Sequence, residues 1–137
     1  MRRQLLLSGV LSVALLGGCR GDASEVFGTW VATTMIVIPP GSQTGVDLLQ
    51  AGSSLSISID AENRTIGSLI IPAGVGGVGP LSASMVGTAR VTSTTVEFDQ
   101  AADTFVRDLT WTRGNMTLTV SSQTVGGATW NIVLSRI

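Results

Sequence analysis

The stretch Ser54-Leu55-Ser56-Ile57-Ser58-Ile59-Asp60 alternates without a break between apolar and polar residues. Only an extended chain puts every second side chain on one face, so this segment reads as a strand with one buried and one wet face. A helix would scatter the same residues around its circumference. Two-faced strands belong to antiparallel sheets, because parallel sheets are covered on both sides. The pattern recurs, and strands are predicted over 27–38, 54–60, 65–71, 84–92, 94–99, 104–112, 115–122 and 128–136. β-Branched residues are frequent throughout, and helical periodicity is nearly absent.

The connections are unequal in length. Those around Ala61-Glu62-Asn63, near Ser93 and at Arg113-Gly114-Asn115 are short, while 39–53, 72–83, 100–103 and 123–127 are longer. In an up-and-down meander, alternate connections fall at opposite ends. One end is then tightly closed and the other carries loops. The expected fold is all-β, an eight-stranded antiparallel up-and-down barrel over 27–137. A β-sandwich is the alternative, but these loops do not alternate as Greek keys require.

The first residues have a different character. Arg2 and Arg3 precede an apolar run from Leu5 to Leu16, then Gly17 and Gly18. This reads as a secretory signal over 1–18, too short and wrongly flanked for a membrane span. Leu16-Gly17-Gly18-Cys19 resembles the lipobox of bacterial lipoproteins. The resemblance implies that Cys19 becomes the first mature residue and is acylated, with chains such as palmitate. Residues 19–26 would then be a polar tether between the bilayer and the barrel. Two or more acyl chains anchor a protein stably where one does not. Arg20 at the next position, where an aspartate would retain the protein at the inner membrane, points to the outer membrane by the family's sorting habit.

Composition narrows the chemistry. Cys19 is the single cysteine, so no intramolecular disulfide is available and the core alone must hold the fold. There is no histidine, which removes the commonest general base and metal ligand. Ser-His-Asp and Cys-His catalysis are thereby excluded, and the chain is not expected to be an enzyme or to hold a cofactor or metal. From Cys19 onward six arginines face nine acids, and lysine is absent. Nucleic-acid binding, which wants a basic face, is not expected. Asp99 and Asp103 are better read as loop-flanking carboxylates than as a calcium site. The glycine-rich loop 72–84 lacks the Lys-Ser/Thr ending of a phosphate loop, no helix follows it, and it reads as a rim loop.

Trp30 stands two residues after Gly28, at the start of the first strand. In a closed barrel the last strand runs antiparallel beside the first, which brings Arg136 next to Trp30. A guanidinium over an indole would plug the barrel floor. Gly28, Trp30 and Arg136 together resemble the structural signature of the lipocalin-like (calycin) barrels. That resemblance implies a barrel able to hold a small apolar ligand, and it says nothing of the ligand's identity. The chain is shorter than typical lipocalins and shows no C-terminal helix.

Alternation over 104–112 places Phe105, Arg107, Leu109 and Trp111 on one inward face. Arg107 would meet a ligand carboxylate or phosphate, or reach up to Asp99, Asp103 or solvent. Trp111 and Met116 would line the ligand's tail. Leu48 and Leu49, on a helical turn ended by Gly52, would form a lid or simply pack over the core. Gly87 and Ala89 would leave room along one wall. Two functions follow: an anchored monomer that binds or carries a small apolar or amphipathic molecule, or a ligand-free structural or interaction lipoprotein of the envelope.

Overall fold

The computed structural model describes residues 26–75 and 77–137. The expected signal segment 1–18, Cys19 and residues 20–25 of the expected tether lie outside the described residues. Among the described residues there are ten strands: β1 (Gly28–Ile38), β2 (Val46–Asp47), β3 (Ser54–Ile59), β4 (Arg64–Ile71), β5 (Leu81–Ser84), β6 (Gly87–Val91), β7 (Thr95–Gln100), β8 (Thr110–Arg113), β9 (Thr117–Val125) and β10 (Ala128–Arg136). A single helical turn, α1 (Phe105–Asp108), precedes β8.

The order is β10-β9-β8-β7-β6-β4-β3-β1, and β1 closes back onto β10. β5 and β6 both pair with β4, Ile71↔Leu81 at one end and Arg64↔Thr88 at the other, in one continuous register. They are two halves of one wall strand, interrupted at Met85-Val86. With β2 as a short addition to the upper half of β1, the architecture is a closed eight-stranded antiparallel barrel, consistent with a lipocalin-like fold. The predicted strand 84–92 is thus longer, running from 81 to 91 with that break.

Alternation works as expected where the ladder is regular. Leu55, Ile57 and Ile59 are buried, as are Leu118 and Val120 on β9 and Trp130, Ile132 and Leu134 on β10. Two bulges change the parity elsewhere. The β1–β10 register shifts between Ala32 and Thr34. Trp30 and Ala32 therefore point inward below it, and Met35 and Val37 above it. The β9–β10 register shifts opposite Asn131, whose side-chain oxygen accepts from the Ser122 N–H at 3.0 Å. Just beyond, the Gln123 side chain pairs with both backbone groups of Thr110. A side-chain amide thus stands in for the strand partner that the short β8 lacks.

The predicted strand over 104–112 is corrected in its first half. Thr104 caps α1, its hydroxyl accepting from the Val106 N–H at 3.2 Å. The physical reason is the adjacent pair Phe105-Val106, both of which are buried. A strand would send one of them outward, whereas a capped helical turn buries the two together. Phe105 stacks on Trp130 with centroids 3.7 Å apart, and the Trp111 indole N–H donates to the Val106 carbonyl at 3.3 Å. The connection between β9 and β10 is also shorter than predicted, a tight turn at Gly126-Gly127. The remaining length asymmetry holds. Short turns at 60–63, 92–94 and 114–116 share one end with Val26 and Ile137, and the longer connections share the other.

Candidate functional site

The closed end is built around Trp30. Its ring is almost wholly buried, and its indole N–H donates to the Val26 carbonyl at 2.9 Å. The pairing Trp30↔Arg136 places the guanidinium 5.7 Å from the ring centroid, as the barrel closure requires. Gly28 sits against the same side chain with φ +130, and a Cβ there would lie 3.2 Å from Arg136 Nε. The position combines a backbone conformation that L side chains rarely adopt with a close neighbour, so glycine is the residue that fits. The three signature positions are therefore in contact, through Arg136.

Two more backbone bonds tie this end. Arg136 N–H donates to the Met116 carbonyl at 3.1 Å, and Ile137 N–H to the Thr29 carbonyl at 2.9 Å. Between these elements lies a cleft of about 180 Å³, lined by Val26, Trp30, Arg113, Met116, Leu118 and Arg136 among others. Arg113 also donates to the Thr92 carbonyl in the neighbouring turn. In the 60–63 turn, Asp60 accepts from Arg64 through both backbone and side chain. The Arg64 backbone N–H is the main reason that the Asp60 carboxyl titrates below its usual range.

The five residues expected to contact a ligand are not brought together. Arg107 lies on α1 and not on an inward strand face. Its guanidinium donates to Asp103 at 2.6 Å and stands 3.7 Å from Asp108. Trp111 is fully buried and forms a T-shaped pair with Phe98, centroids 5.9 Å apart. Leu48 is also fully buried, and its N–H donates to the Met35 carbonyl at 2.8 Å. Leu49 is partly buried against the core. The turn carrying both is held by Asp47, whose carboxylate accepts from the N–H groups of Leu49 and Gln50. Met116 lies at the opposite end of the barrel from Arg107. It is 52 % exposed in the 114–116 turn, with φ +66.

The room expected beside Gly87 is absent. A Cβ at that position would lie 2.3 Å from the Asp99 carbonyl oxygen. Gly87 is there because a neighbouring strand's backbone passes too close for any side chain. The cleft at the closed end was missed because 115–122 read as one strand, which turned Met116 inward. Asn115, a residue that favours turns, was the available signal. The closed barrel is a fold compatible with ligand binding. No protein-family model, curated protein or solved structure matches the chain.

Proposed function

We propose that the chain is an exported lipoprotein, acylated on Cys19, whose barrel works through its outer surface as an interaction module of the cell envelope. The observation that carries this reading is the filled interior. Trp30, Trp111 and Trp130 each have at most 2 % of their surface exposed, and Met35, Met85 and Leu48 have none. Small eight-stranded barrels either fill with side chains or keep room for one ligand, and here many inward positions carry large side chains that are fully buried. The lipobox-like Leu16-Gly17-Gly18-Cys19 supports the anchor, and the outer membrane is the proposed location.

Carriage of a small apolar molecule inside the barrel is the competing reading. Native mass spectrometry of the protein purified from its own host separates the two. The expected mass is that of an acylated chain from Cys19 onward, with nothing else bound. A stoichiometric small molecule that survives purification would instead establish a carrier. Cys19→Ser is expected to abolish labelling by a fatty-acid analogue and to leave an unprocessed precursor. Undiminished label on that variant would remove the lipoprotein reading.

A further inference from the structure

We propose that the outer wall formed by β3, β4 and β5 is a self-association face, through which two copies of this chain pair when anchored in one membrane. The proposal rests on the anchored, surface-acting reading above and names the partner as a second copy. β4 turns Ile66, Ser68 and Ile70 outward. Their partners on β3 are all serines, as are the β5 partners of Ser68 and Ile70. Val86 stands opposite Ile66, because the Met85 N–H donates to the Gly67 carbonyl at 3.0 Å and carries the register through the break. Ile66, Ile70 and Val86 are 61, 45 and 54 % exposed. Three of the five large apolar side chains that stand exposed among the described residues thus share this one wall.

An apolar cluster on a wet face marks a contact surface, and its chemistry says with what. None of these outward positions carries an ionisable side chain, so a like face meets it without repulsion. A two-fold interface uses one patch as both halves, so the patch must hold knobs and hollows together. Here the aliphatic side chains are the knobs and the flanking serines leave the hollows. Beside Ile66 lies a groove of about 310 Å³, lined by Gly28, Thr29 and Ser58 among others. The Thr29 and Ser58 hydroxyls bond each other at 2.8 Å, and Asp60 and Arg64 at its rim pair at 2.9 Å. Anchoring supplies the geometry. Val26 lies at the closed end, so copies tethered through Cys19 stand with that end toward the bilayer. A two-fold axis along the membrane normal then sets the same wall of each copy at one height. The wall spans two strand spacings of about 4.8 Å and four residue rises of about 3.4 Å, on the order of 300 Å² with its side chains. A stable free dimer buries about 800 Å² per partner. Pairing is therefore expected in the membrane, where confinement raises the effective concentration, and a monomer in dilute solution.

Disulfide trapping of the full-length protein in phosphatidylcholine vesicles tests this. Ser68→Cys puts a thiol at the centre of the wall, and Ser121→Cys puts one on β9, across the barrel and also exposed. With copper–phenanthroline and oxygen as oxidant, Ser68→Cys is expected to form the disulfide dimer several-fold faster than Ser121→Cys. Adding Ile66→Lys should bring that rate down to the Ser121→Cys level, because the two copies would then oppose like charges. The substituted side chain is exposed, so the melting temperature should stay near that of the parent. Ile70→Lys carries the same test should Ile66→Lys fail to fold. Equal rates at positions 68 and 121, as when another protein or lipid covers the wall, overturn the self-association face. So does a Ser68→Cys rate that neither lysine variant lowers. Peptide maps of the same samples locate each disulfide and read the state of Cys19. An acylated Cys19 with equal rates sinks the face and keeps the anchor. An unmodified Cys19 with trapping still favoured at position 68 sinks the anchor and keeps the face.

Discussion

Trp30→Ala is expected to cost about 3–5 kcal/mol of folding stability, the range for truncating a buried large aromatic. Domains of this size are stable by roughly 5–15 kcal/mol, so the variant should melt far earlier in urea and sit close to the edge of folding. The loss has three parts. The ring fills the closed end, where its neighbours are strands pinned by the β1–β10 and β1–β3 ladders and cannot collapse inward. The Val26 carbonyl loses the indole N–H that satisfies it. Arg136 loses the ring face under its guanidinium.

Arg136→Ala should cost less, because its side chain is only half-buried and a cation–π contact contributes about 0.5–2 kcal/mol. The pair should couple. Once Trp30 is gone, removing Arg136 takes away less than it does in the parent, so the double variant is expected to fall short of the summed losses. Trp30→Phe divides the effects further, keeping most of the ring while leaving the Val26 carbonyl without its donor. Additive losses in the cycle would show that the contact between the two side chains carries no energy of its own.

The barrel and its closure were legible in the sequence because both depend on period-two alternation and on a turn pattern. Strand order in a meander follows chain order, and closure then dictates that Arg136 meets Trp30. What escaped was every place where one residue changes the parity. Thr33 and Ser122 sit at bulges and flip the inward set beyond them, and no composition signal marks a bulge reliably. The segment 104–112 misled for a related reason. Phe105, Leu109 and Trp111 sit at even spacings, which suits a strand. Yet Phe105 and Leu109 are also four apart, and Thr104 stands where a helix cap would. Two templates fitted, and burial of Val106 decided between them. The pairing of Arg107 with Asp103 follows from the same helical turn, since residues four apart then lie side by side. Gly87 was ambiguous in another way, because a glycine in a strand signals either empty space or a close neighbour, and only the fold distinguishes them.

Phe105→Ala should have the other large effect, at the loop end. The ring lies flat on Trp130 at 3.7 Å, and α1 holds it there through the Thr104 cap and the Leu109 N–H to Phe105 carbonyl bond. Truncation is expected to cost about 3–5 kcal/mol, partly as lost burial and partly as the cavity left behind. That cavity would be lined by Trp130 and its apolar neighbours. An apolar cavity of phenyl size stays dry and admits small aromatic guests. The variant should therefore gain a property that the parent lacks. Benzene or a similar probe should raise its melting temperature and perturb the fluorescence of Trp130, while leaving the parent unchanged. The guest would restore part of the lost stability by mass action, in proportion to the logarithm of its concentration over its dissociation constant. This outcome ties stability to function. If the parent interior is filled, binding appears only when a side chain is removed. Should the parent bind the probe as tightly as the variant, the interior already holds usable space, and carriage of a small apolar ligand becomes the better account of what the barrel does.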